Sequence, residues 1–205
     1  VIFSLLTLTF AFAVTLKALF DGNSGMWKGV PTTVSVIIFF MLLAVVGMME
    51  GIQIAAFALL NMSEEELSAY GVASANCKLM FAGENLQAFL IGRQIFVTSL
   101  MLIVARVATL KNYTDDNTIF GVSAGLQKFL NTGLLGAIIL TIVGSLAWRI
   151  IASSFPLAFM SNPAIYVIIR ICLLLEATGI CSASWVLALI NKQFAGYKRD
   201  SVFRR

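Results

Sequence analysis

The sequence predicts an all-α, polytopic membrane protein with five transmembrane helices. Two observations carry that expectation. Of its 205 residues, 60% are hydrophobic and 12% charged, with mean hydropathy +0.94; a soluble domain averages roughly 45–50% apolar and about 25% charged residues. The apolar residues also collect into five runs long enough to cross a bilayer, which takes about 20 residues.

The spans are expected at about 1–20, 31–60, 86–110, 124–151 and 163–190. The first, "VIFSLLTLTFAFAV", is apolar from Val1, with no basic n-region or cleavage site, and so is not a signal peptide. The chain reads as a fragment opening at the edge of a spanning helix. The second run is too long for one straight span, and Gly47 and Gly51 flank its carboxylate, Glu50. Missing side chains there permit a kink or a close neighbouring backbone. The third opens with "ENLQAFLIGRQIFV". The fourth carries Gln127 and Asn131 near one end, then Gly133, Ala137, Thr141, Gly144 and Ser145 as small contact surfaces. The fifth holds Arg170 and "LLLEATGICSAS", where Cys172, Gly179 and Ala183 are expected on the face of Glu176. Polar connections join the spans into one helical domain, 1–190, and residues 191–205 begin a basic tail.

Orientation follows from basic residues. Lys17 and Lys28 flank the first connection, and Arg106, Lys111 and Lys128 the third. Lys192, Lys198, Arg199, Arg204 and Arg205 lie in the tail, making ten on one side against Lys78 and Arg149 on the other. The tail after Ile190 is therefore expected in the cytoplasm, and the Glu64–Glu66 segment outside. The sequons at Asn61 and Asn112 fall on opposite sides, so at most one is glycosylated. Arg106 and Arg149, near span ends, are expected to snorkel to the interface. The +4 net charge thus sets orientation and does not mark a nucleic-acid partner.

No histidine is present, which excludes imidazole metal sites and Ser/His/Asp triads. Three cysteines, two of them in apolar runs, make a disulfide framework improbable. With no nucleophile–base pair or metal cluster visible, an enzyme is not expected. The chemistry lies instead in charges within hydrocarbon, which pair or face a water-filled cavity. Glu50 lies ten residues, about 15 Å, from the outer end of its span, and Arg93 seven residues, about 10 Å, from the outer end of the next. They are natural partners on antiparallel helices. Gln53 shares a face with Glu50, Gln94 adjoins Arg93, and Gln87 lies on the face of Gln94. Glu176 with Arg170 is a second polar pair, with a purely structural reading beside the functional one.

"MEGIQ" followed some forty residues later by "IGRQ" resembles the paired E-G-x-Q and G-R-Q signature of the silicic acid transporters of diatoms. "NLQAFLIGRQ", "SLAWRIIASSFPL" and "LEATGICSASWVLALI" are similar to that family as well. The resemblance implies the second half of a ten-span transporter built from two inverted five-span repeats, with the first half missing here. It implies sodium-coupled uptake of silicic acid, with Glu50, Gly51, Gln53, Gly92, Arg93 and Gln94 binding solute. Gln87, Arg170 and Glu176 are expected as a secondary polar site. Silicic acid, sodium and the bilayer are then the partners, with Na⁺ as coupling ion and no cofactor. The plasma membrane, or that of a silica deposition vesicle, is the expected location. Rival readings are a transporter or channel for another neutral solute such as boric acid, and a non-transporting membrane scaffold.

Overall fold

The computed structural model describes residues 1–111, 113, 117–183, 186, 187, 190 and 194. The basic tail, apart from Phe194, and the Asn112 sequon lie outside the described residues. The described chain is helical throughout, apart from its turns and an isolated bridge between Ser24 and Leu110. Among the described residues four helices are long and apolar enough to cross a membrane: Ile2–Phe20, Thr32–Leu59, Asn85–Ala108 and Leu134–Ser154. The protein is a multi-pass membrane protein.

Helix α1 (Ile2–Phe20) and helix α2 (Thr32–Leu59) are joined by the first connection. At 28 residues α2 is about 42 Å long, more than the roughly 30 Å hydrocarbon core. It runs unbroken through Glu50, so Gly47 and Gly51 do not kink it. Their bare α-carbons instead admit the rings of Trp148 and Phe159, with which any added Cβ would collide.

The segment after α2 was expected only as a polar connection, but it is a packed cap. Helix α3 (Glu64–Ser68) starts with a capping box: Ser63 Oγ accepts from Glu66 N–H, and Glu66 Oε2 accepts from Ser63 N–H, both at 3.3 Å. In α4 (Gly71–Phe81), Ala73, Cys77 and Met80 form a buried stripe at helical spacing. Burial pushes the Cys77 thiol up to about 11. Asn76 of α4 donates to the carbonyl of Met160 at 2.7 Å and to that of Asn162 at 3.3 Å.

Helix α5 (Asn85–Ala108) returns across the bundle. Its far end is strapped to the first connection: Gly25 N–H donates to Thr109 O at 2.9 Å, and Lys111 N–H to Asn23 O at 2.7 Å. The first and third connections, both basic, therefore share one end of the molecule. At that end Asp21 accepts from Lys17 at 2.8 Å and from Tyr113 at 3.2 Å. The Lys17 hydrogen bond holds the Asp21 carboxyl below its ordinary range. Burial raises the Tyr113 phenol.

The fourth span does not start at Ala124. Helix α6 (Ala124–Leu130) stops at Asn131–Gly133, where Gly133 takes a left-handed φ of 81°. The spanning helix follows as α7 (Leu134–Thr141), a π-helical turn (Ile142–Leu146) and α8 (Ala147–Ser154). A short α9 (Pro156–Met160) turns the corner. Helix α10 (Pro163–Ala177) starts with Asn162 Oδ1 accepting from Ala164 N–H at 2.9 Å and Pro163 in its first turn. It ends at Ala177, and the chain turns through Gly179 at φ 75°. Gly179 is therefore a turn residue and does not share a helical face with Glu176. Cys77 and Cys172 are buried and form no disulfide.

Helix α2 is central, touching α1, α5, α8 and α9, while α10 packs along α5 and α1 along α7. Large apolar side chains such as Phe3, Leu102, Ile150 and Leu174 stay exposed around the outside, where lipid would solvate them.

Candidate functional site

The centre of the bundle is built on Glu50. An isolated carboxylate in hydrocarbon is costly, and this one is 4% exposed. The expected pair forms: Arg93 Nη1 donates to Glu50 Oε1 at 3.2 Å. Arg93 is itself 8% exposed. The other carboxylate oxygen goes to Arg149, whose Nε donates to Oε2 at 2.9 Å and whose Nη2 donates to the same oxygen. Arg149 was expected to snorkel away to the interface. It is a third member of the cluster instead, because its helix runs on to Ser154 and leaves it five residues inside the end.

Packing sets this geometry. Gly92, one residue before Arg93, lies against the main-chain carbonyl of Cys172, which draws α5 onto α10. Trp148, one residue before Arg149, lies against Gly47, which draws α8 onto α2. Phe159 covers Gly51 and meets the Trp148 ring edge-on at 6.3 Å. The two motif glycines, Gly51 and Gly92, are thus close-contact points that set the charged side chains at the right height.

The cluster holds two cations and one anion, one net positive charge inside a membrane-spanning bundle. Arg93 Nε is buried with no hydrogen-bond partner among the described residues. The Arg149 side chain remains 45% exposed. Such a centre can donate hydrogen bonds to a polar, oxygen-rich solute on its open side.

A family model described as silicon transporter matches residues 1–204. The chain belongs to the silicon transporter family. Neither a curated protein nor a solved structure matches it. Membership makes its role membrane transport of a silicon solute, which is a non-enzymatic one.

The other polar residues singled out in this silicon transporter sequence are less tightly gathered. Gln53, half-buried on α2, makes no side-chain hydrogen bond among the described residues, and Gln94 is exposed and donates to Thr98 at 3.4 Å. Gln87 is exposed on α5. Arg170 does not pair with Glu176. It donates to the Tyr166 hydroxyl from Nε at 3.2 Å and Nη2 at 2.8 Å, with its guanidinium 5.3 Å from the ring centroid. The reason is helical spacing: Tyr166 is four residues back on the same face, whereas six residues turn Glu176 to the far side. Gln127 is taken up structurally, accepting from Ile119 N–H at 2.8 Å and donating to Asn131 at 2.7 Å.

Proposed function

We propose that the chain carries silicic acid by sodium-coupled uptake, and that the Glu50–Arg93–Arg149 cluster with Gln53 and Gln94 binds the solute. The observation that carries this reading is the unpartnered Arg93 Nε beside a half-open Arg149, both held by the Glu50 carboxylate of the central helix. Orthosilicic acid is neutral near pH 7, with four hydroxyls that both donate and accept. Guanidinium groups donate in a fixed fork, the carboxylate accepts, and glutamine amides do both. A site built this way rejects solutes that leave its buried groups unpaired.

The open side of Arg149 suits a second, inverted five-helix half, as the family resemblance implies. Inverted-repeat transporters hold solute near the midplane between repeats, one of which rocks against the other. In this reading the connections strapped together at Gly25 and Lys111 face the cytoplasm, as the basic excess implies.

One observation favours a scaffold reading instead: both Glu50 oxygens are already occupied by arginines, as in a purely structural clamp. The two glutamines separate the readings, because neither carries charge and neither closes the cluster. In the full-length transporter, Gln53→Ala and Gln94→Ala are expected to reach the membrane at near-normal levels. Each should raise the KM for silicic acid roughly two- to twelve-fold, the equivalent of one hydrogen bond. Uptake against silicic acid concentration, normalised to surface protein, is the measurement. Unchanged uptake by both variants would remove the site assignment, and sodium replacement and boric acid competition test coupling and solute class on the same cells.

A further inference from the structure

A cavity of about 500 Å³ opens at the end of the bundle where the first connection meets α5. Lys28, Arg106 and Lys111 line it, and no carboxylate does so among the described residues. Neither lysine has an acidic partner among the described residues. The walls are fixed by the bridge between Ser24 and Leu110 and by the two backbone hydrogen bonds at Gly25 and Lys111. The Arg106 guanidinium lies 5.7 Å from the Trp27 ring centroid. Ser24, 8% exposed, also lines the cavity; its Oγ accepts a long 3.4 Å bond from Met26 N–H, and its hydroxyl donates to no described residue. Thr32 on the rim opens α2, whose first turn has no side-chain cap. Three cations, an unused buried hydroxyl and the positive end of a 28-residue helix converge on one space.

We infer that this cavity is a phosphate-binding site for a phosphorylated headgroup or its soluble counterpart. Its volume exceeds that of inorganic phosphate and suits a phosphorylated ring. Its depth is that of lipid headgroups: Arg106 lies two residues before the end of α5, and Trp27 is an exposed aromatic at the membrane boundary. Basic pockets between spanning helices on the cytoplasmic side take anionic headgroups. The site is separate from the Glu50 cluster and does not depend on which solute that cluster binds.

The test uses the full-length protein in detergent, with Trp27 fluorescence as the readout and the Trp27→Phe protein as the blank. Short-chain phosphatidylinositol 4,5-bisphosphate, inositol 1,4,5-trisphosphate and inorganic phosphate are titrated in turn. A saturable change with at least one of them is expected, weakened about thirty-fold by Lys28→Gln with Lys111→Gln, about five-fold per lysine. Tighter binding of the lipid than of the trisphosphate assigns the site to a membrane lipid, and equal binding assigns it to a soluble phosphate. No saturable change with any of the three, or equal affinity in the double variant, overturns the inference. So does wild-type binding that is indifferent to salt, because contacts at this exposed rim are screened.

Discussion

Replacing Glu50 by glutamine is expected to cost the folded protein about 3–5 kcal/mol, the usual penalty for stripping a buried ion of its partner. Few proteins have more than about 5–15 kcal/mol in hand. The effect is large because one carboxylate answers two arginines. The isosteric amide leaves Arg93 and Arg149 facing each other with no anion between them. The double change Glu50→Gln with Arg93→Gln is expected to recover a large part of the loss, since the buried cation is gone and half-exposed Arg149 can swing toward the interface. Arg149→Gln alone should be milder than Glu50→Gln, because Glu50 keeps Arg93. Thermal unfolding of the detergent-purified proteins, with Arg93→Gln alone measured as well, gives all four values. Strict additivity of the two single losses would show that the residues do not interact.

Gly92→Ala is the second large effect, expected at about 3 kcal/mol, the upper end of overpacking penalties. The added methyl would overlap the main-chain carbonyl of Cys172, and a backbone cannot rotate aside as a side chain can. Helices α5 and α10 must part, and Arg93 moves with α5. Transport should fall along with stability. Gly125→Ala is the control: nothing lies within 4 Å of its added Cβ, and alanine favours a helix by about 0.5–1 kcal/mol over glycine. Equal melting temperatures for Gly92→Ala and the unchanged protein would refute the close-packing account.

Membrane character, four spanning helices and the Glu50–Arg93 pair were legible because each rests on a local quantity: run length, apolar content, or depth counted from a span end. The depth of Arg149 was not legible in that way, because it depends on a span boundary that hydropathy hides. The run from 124 to 151 looks continuous in hydropathy, yet Asn131-Thr132-Gly133 is a helix stop. Reading that triplet as a break moves the span to Leu134–Ser154 and Arg149 into the membrane. Thr178-Gly179 carries the same kind of signal at the end of α10. The α4 cap was hidden for another reason: polar and small residues mask a stripe that only Asn76's backbone partners and the corner at α9 make into a buried face. Close approaches at Gly47, Gly51 and Gly92 were foreseeable as small residues, but their partners lie 80 to 108 residues away in sequence.

The π-helical turn at Ile142–Leu146 makes the electrostatics of this bundle depend on a residue count. Such a turn holds one residue more than α-helical winding needs. Wound as an ordinary α-helix, the same residues would be just as apolar. Everything beyond them would rotate by about 100°, the share of one residue in an α-turn. Trp148 would leave Gly47, and Arg149 would leave the carboxylate. Either winding crosses the bilayer, so this stretch is constrained by phase and not by length.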